Sequence, residues 1–266
     1  MEMLTYSFMQ RALLAGILLS IASSIISFFI VLKRLAFIGT GIAHAAFGGV
    51  AVGLVTGLNP LLTAGITATA TAWAIGWINK EGRLSEDIST GIFFTAAMAL
   101  GILLLGFYPR YVDIFSYLFG NILAVSLSDL KFTAIINCFV LVFLAIFFQD
   151  LLAIVFDPET ARATGKPVTP LYFGLLTAIA LTVILSVKMV GIILASALLV
   201  TPAATAYQLA RSYRQLLYLT LAVNFFSIIG GLFLSYYLNL PSGATIILLL
   251  TFFFLLAFLW AKVRLK

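Results

Sequence analysis

A chain of 266 residues that is 63% hydrophobic and 9% charged is too apolar for a water-soluble globule. Its formal charge of +6 sits between long apolar runs, where it suits anionic lipid headgroups better than nucleic acid. The single cysteine excludes an internal disulfide.

Runs of about twenty apolar residues match the ~30 Å hydrocarbon layer of a bilayer. They are continuous rather than alternating, which argues against a β-barrel. The expected fold is all-α and polytopic, with about nine transmembrane helices in a single transmembrane domain, residues 1–266. No polar stretch is long enough for a soluble domain at either end.

The first run, 12–32, is followed by Lys33 and Arg34 without a small-residue cleavage site, and reads as a retained span. The second, 36–58, carries the only histidine of the chain, His44. An ionisable group inside a span is costly, so it should face protein or a water-filled cavity. Imidazole is also a common transition-metal ligand. Gly41, Ala45, Gly49, Gly53 and Gly57 recur every four residues, which predicts one small-residue face for close helix packing. Thr40, His44 and Gly48 form the neighbouring stripe, with the Thr40 hydroxyl one turn from the imidazole. Two readings of His44 stand side by side: a structural donor to a backbone carbonyl, or a metal ligand.

Spans at 60–78 and 88–107 follow. Residues 111–126 are apolar but broken by Asp113, Gly120 and Asn121, as in a short re-entrant or interfacial helix. The fifth span, 131–149, contains Cys138, read as a small core residue, and Asn137, read as an interhelical hydrogen-bond donor.

A polar connection occupies 156–167. Asp157 reads as an N-cap with Pro158 at the first helical position, Glu159 suits the helix dipole, and Gly165 with Pro167 stops the helix. This short helix exposes Glu159, Arg162 and Lys166. It is either a surface connection or a docking element for a cytoplasmic partner.

The remaining spans are 169–187, 189–209, 214–238 and 243–262. Pro202 predicts a kink in the seventh, with Thr201 and Thr205 hydroxyls near the freed carbonyls. Asn224 is a second interhelical donor. Pro241-Ser242-Gly243 marks a turn, beside interfacial Tyr236 and Tyr237.

The connections after spans one, three, five and seven, with the C-terminal tail, hold eleven Lys and Arg; the other side holds Arg11, Arg110, Lys131 and Lys188. This bias predicts the N-terminus outside and the C-terminus in the cytoplasm. No nucleotide-binding Gly-x-x-x-x-Gly-Lys-Ser/Thr loop and no second histidine occur, so an ATPase, a zinc protease or a histidine-based hydrolase is not expected.

Four segments in order carry a resemblance: Gly39–Gly53; Leu118-Phe119-Gly120-Asn121-Ile122-Leu123 before Ser128-Asp129-Leu130; Phe156–Gly165; and Ala197–Ala204, followed by Pro241-Ser242-Gly243. Together they resemble the permease subunits of metal-ion ABC importers, the zinc, manganese and iron group. The resemblance implies a type II ABC importer permease fold that works as a homodimer in the plasma membrane of a prokaryote. It implies cytoplasmic ABC ATPase subunits, an extracytoplasmic metal-binding protein, and no permanently bound cofactor, only a transported divalent ion. By the same resemblance His44 lines the metal path and residues 157–166 dock on the ATPase. Many family members carry aspartate where this chain has Thr40, a much weaker ligand. Asp113 and Asp129, expected on the outer side, are candidates to attract the cation. The alternatives are a permease for metal chelates of siderophore or corrinoid type and a stand-alone secondary carrier, which would need acids inside the spans.

Overall fold

The computed structural model describes residues 5–82, 84–108 and 120–264. All regular structure among them is helical: α1 (Ser7–Lys33), α2 (Ala36–Thr56), α3 (Pro60–Lys80), α4 (Glu86–Gly106), a 3-10 turn at Ile122–Ala124, α5 (Leu127–Ile146), α6 (Phe148–Phe156), α7 (Pro158–Ala163), α8 (Val168–Leu209), α9 (Tyr213–Leu238) and α10 (Ser242–Arg264). Eight of these are long and apolar enough to cross a bilayer.

Local chemistry sets many of the boundaries. The Asn59 side chain accepts from the Leu61 amide, with Pro60 in the first turn of α3. Ser85 caps α4 and Ser212 caps α9 in the same manner. Ser126 and Asp129 form a reciprocal capping box at the start of α5.

The difference between eight long helices and nine expected spans lies in α8. Its 42 residues would extend ~63 Å as one rod, twice the hydrocarbon thickness. Gly191, at φ 81 and ψ 170, breaks it into two limbs. Tyr172, near the start, donates to Glu86 at 2.7 Å and lies under the Lys33 ammonium. Leu209, at the end, lines a groove with Trp260. Lys188, at the break, pairs instead with Asp129 at the start of α5. The two limbs therefore run in opposite senses, and the sixth and seventh spans are a hairpin with Gly191 at its tip. Pro202, expected to kink the seventh span, is buried in the second limb, and Gly191 is the residue with non-helical φ/ψ. The Thr205 hydroxyl donates to the Thr201 carbonyl, while Ala203, just past the proline, donates its amide to Ser27 of α1.

The fifth span is shifted toward the N-terminus relative to the apolar run that predicted it, starting at Leu127 and ending at Ile146. Phe147, at φ −99 and ψ 12, turns the chain after Ile146. Phe148 then stacks on Phe28 and meets Phe29 edge-on, which fixes α6 against α1.

α1 and α8 form the interior. One apolar cluster joins Ile26–Ile30 of α1 to α2, α3, α6 and both limbs of α8. A second joins Met9–Leu19 of α1 to both limbs of α8 and to Ile228, Leu232, Ile246 and Leu250. α4, α5 and α10 are peripheral and expose Ile102, Ile135, Phe139, Leu248 and Trp260. In lipid such exposure costs nothing, because acyl chains are as apolar as leucine. Cys138 shares this outer face of α5 and is exposed, rather than packed in the core.

Interior packing is held by polar ties. Asn137 donates to the Leu18 carbonyl at 2.7 Å, and Asn224 donates to Ser23 and Ser24 of α1 at 2.9 and 3.0 Å. Both asparagines thus act between helices, as expected.

Candidate functional site

α2 is the most embedded of the helices flanking the interior, and its glycines show how it is held. A side chain at Gly41 would strike Thr90, and one at Gly48 would strike the Ala97 carbonyl, both of α4. Side chains at Gly49 and Gly53 would strike Thr67, Thr63 and Pro60 of α3. The four-residue stripe is therefore shared between two neighbours. Each four-residue step advances 40° beyond a full turn of a 3.6-residue helix, so the stripe drifts from α4 to α3. Ala45 is fully buried within it. Gly57 takes no part in the packing: it ends α2 in the left-handed conformation, with open space around it.

His44 is half-buried beside this seam. Its Nδ1 lies 2.8 Å from the Thr40 backbone carbonyl, one turn back, and its ring meets Phe94 of α4 edge-on at 4.8 Å. The contact to Thr40 is through the carbonyl and not through the hydroxyl. A carbonyl can only accept, so Nδ1 carries a proton and Nε2 is left with its lone pair in the neutral ring. That tautomer suits both readings: a structural donor on one nitrogen and a metal ligand on the other.

At the end opposite Lys33, a cavity of about 500 Å³ opens between the α2–α3 turn, the 120–129 segment and the tip of the α8 hairpin. Asp129 lines it with Asn59, Asn121, Met189 and Lys188. The Asp129 carboxylate accepts from the Ser126 amide at 3.2 Å and the Ser126 hydroxyl at 2.6 Å. Its other oxygen lies 2.6 Å from Lys188 Nζ. Val50 of α2 also lines the cavity, but His44 faces α4, so the structure does not bring His44 and Asp129 together. Asp113 lies outside the described residues. Among those described, no three His, Cys, Asp or Glu side chains gather into a metal-holding group.

At the Lys33 end, α7 has the expected architecture. The Asp157 carboxylate accepts from the amides of Glu159 and Thr160 at 3.1 and 3.0 Å, and Gly165 leaves the helix at φ 81. Hydrogen bonds from the Thr160 hydroxyl and amide hold the Asp157 carboxyl below its usual range. Glu159 and Arg162 are exposed, and Lys166 pairs with Asp150 at 2.6 Å. Arg162 and Pro158 also line a cleft of about 220 Å³ with Lys33, Lys80, Glu86 and Tyr172. α7 packs on α6 and α8, and across the cleft it faces residues of α1, α3 and α4.

Sequence reasoning missed Lys188 and Gly191. Lys188 counted only toward orientation, yet a lysine interrupting an apolar run suits a membrane interface, and a glycine just after it can take the positive φ of a reversal.

The pattern described as the ABC 3 transport family matches residues 5–261. The manganese transport system membrane protein MntC of Listeria monocytogenes is 39% identical over 97% of this chain and 92% of its own. The chelated iron transport system membrane protein YfeD of Yersinia pestis is 32% identical over 99% of this chain and 89% of its own. Among solved structures, PsaBC from Streptococcus pneumoniae in complex with Fab superposes with a TM-score of 0.85 at 34% identity, covering 96% of this chain and 92% of that one.

Proposed function

The chain belongs to the ABC 3 transport family, and from that membership we propose that it is the transmembrane permease subunit of an ATP-driven ABC importer for a divalent metal ion, manganese or iron before zinc. The observation that carries this reading is the identity to a manganese transport membrane protein over nearly the whole of both chains. The fold supports it too: described acids lie at helix ends and connections, leaving little for a proton- or ion-driven carrier to work with inside the spans.

In this reading two copies sit in the plasma membrane of a bacterium, with the Lys33 end cytoplasmic, the N-terminus outside and the C-terminus inside. An external binding protein delivers the ion to the outer cavity. Cytoplasmic ATPases, which carry out the hydrolysis, engage α7 through Glu159 and Arg162. The short, proline-started, side-chain-capped helix is rigid enough to pass a push into the cleft between α1, α3 and α8. His44 lends Nε2 to the passing ion, and Thr40 sets the tautomer through its carbonyl. With a hydroxyl in place of a carboxylate one turn away, the ion is held weakly and released quickly, as a conducting route requires.

The test is uptake into vesicles containing this chain with its ATPase and binding protein, comparing manganese, iron and zinc. ATP-dependent uptake of a free ion, lost in His44→Ala with assembly intact, is the expected result. Uptake of iron only as a chelate would replace the free-ion reading. Undiminished uptake in His44→Ala would reduce the histidine to a packing role.

A further inference from the structure

The outer cavity contains a cation of its own. Lys188 lines the cavity beside Asp129, its ammonium 2.6 Å from one carboxylate oxygen and 5.4 Å above the Phe132 ring. A fixed positive charge at the mouth of a cation route is a barrier unless something neutralises it, and here the neutralising group is the only carboxylate lining that cavity among the described residues. We propose that Lys188 is a resident counter-ion for Asp129, displaced when a divalent cation enters the cavity and restored when the cation leaves. This rests on the metal-import reading above.

Three features make the exchange physically reasonable. The carboxylate is pre-oriented: Ser126 holds one oxygen through its amide and hydroxyl, so withdrawal of Lys188 presents the other oxygen without rearrangement. The pair is also accessible, with side-chain exposures of 30% for Lys188 and 27% for Asp129. A pair that exposed is worth no more than about 1 kcal/mol, which a divalent ion can overcome. Finally, one carboxylate with the Asn59 and Asn121 carboxamides offers oxygen ligands too few for a tight site, so the ion moves on. The pair joins the start of α5 to the hairpin tip of α8, so its opening also frees the two elements that frame the cavity.

A purely structural tie and an exchangeable counter-ion differ in sign. If the pair only holds helices together, Lys188→Met and Asp129→Asn remove the same tie and impair manganese uptake in the same direction. If Lys188 competes with the ion, Lys188→Met lowers the apparent KM for manganese by about fivefold, the equivalent of about 1 kcal/mol, and slows the maximal rate. Asp129→Asn raises KM, and adding Lys188→Met in that background lowers it again in part, because the ammonium left unneutralised beside the cavity is removed, whereas a tie already broken would show no further change. Lys188→Arg, a more tenacious partner for a carboxylate, raises KM, whereas a tie alone would tolerate it. The experiment uses the complete transporter in proteoliposomes, with assembly checked by size exclusion. Shifts of the same sign in Lys188→Met and Asp129→Asn, or a silent Lys188→Arg, overturn the proposal while leaving the importer standing. Failure of wild type to take up any free divalent ion brings down the importer reading and this proposal together.

Discussion

Gly191 is the residue on which the hairpin of α8 turns. Its φ of 81 with ψ of 170 is a region that side chains other than glycine's occupy at a cost of about 1–3 kcal/mol. Gly120 lies so close that a methyl group on it would collide with the Gly191 backbone. Gly191→Ala and Gly120→Ala should both lower the thermal unfolding midpoint in detergent, while Gly65→Ala, on a helix with nothing within 4 Å, should leave it unchanged or raise it slightly. A smaller loss is expected for Asn137→Ala, about 0.5–2 kcal/mol, since interhelical hydrogen bonds in membranes are modest. His44 stood out in the sequence because an imidazole is conspicuous among apolar residues. Its partner was visible only as a position one turn away, and whether hydroxyl or carbonyl meets the ring depends on rotamers that spacing does not encode. Lys188 was hidden for another reason: its meaning arises from Asp129, fifty-nine residues earlier, and no local pattern links them.

Among the elements, α7 was the most legible, because capping chemistry is local: Asp157, Pro158 and Gly165 each act within a few residues. Its folded-state carboxyl is held low, so the cap is fully present above the ordinary aspartate range and is lost as pH falls through the lowered value. Hydrogen exchange at the Glu159 and Thr160 amides should therefore be protected above the ordinary aspartate range and lose that protection in acid strong enough to protonate the carboxyl. Asp157→Asn should keep the cap and abolish this pH dependence. Reversing the charges of Glu159 and Arg162 together should weaken co-purification of the ATPase without altering the thermal stability of the permease, since both side chains are exposed. The glycine stripe of α2 was legible as packing but not as packing against two helices, since a four-residue repeat drifts around a 3.6-residue helix. Cys138 was misplaced because apolarity alone does not distinguish a core from a lipid-facing surface.

For the whole molecule, hydropathy found the spans because the bilayer imposes one length on all of them. The split of α8 was correct in number, although a proline was expected to shape a segment that a glycine ends. With α8 counted as two limbs, the described residues hold nine apolar segments able to cross a bilayer, and nine crossings would put the N- and C-terminal helices' outer ends on opposite faces, as proposed above. In a Cys138→Ser background, Ser7→Cys should react with an impermeant maleimide from outside the cell and Arg264→Cys only after permeabilisation. Labelling of both from one side would remove the basis for placing α7 in the cytoplasm.

The central position of α1 carries a consequence for biosynthesis. It precedes α5, α8 and α9 in the chain, yet its ties are to Asn137, Ala203 and Asn224, made far later. Until then its serines must sit in lipid without their partners. Ser20, Ser23 and Ser24 already donate to carbonyls of α1 itself, at Ile17, Leu19 and Ser20. The helix can therefore wait in the membrane with these three hydroxyl donors satisfied, holding their oxygen acceptors in reserve for Asn224 of a helix that has not yet been synthesised.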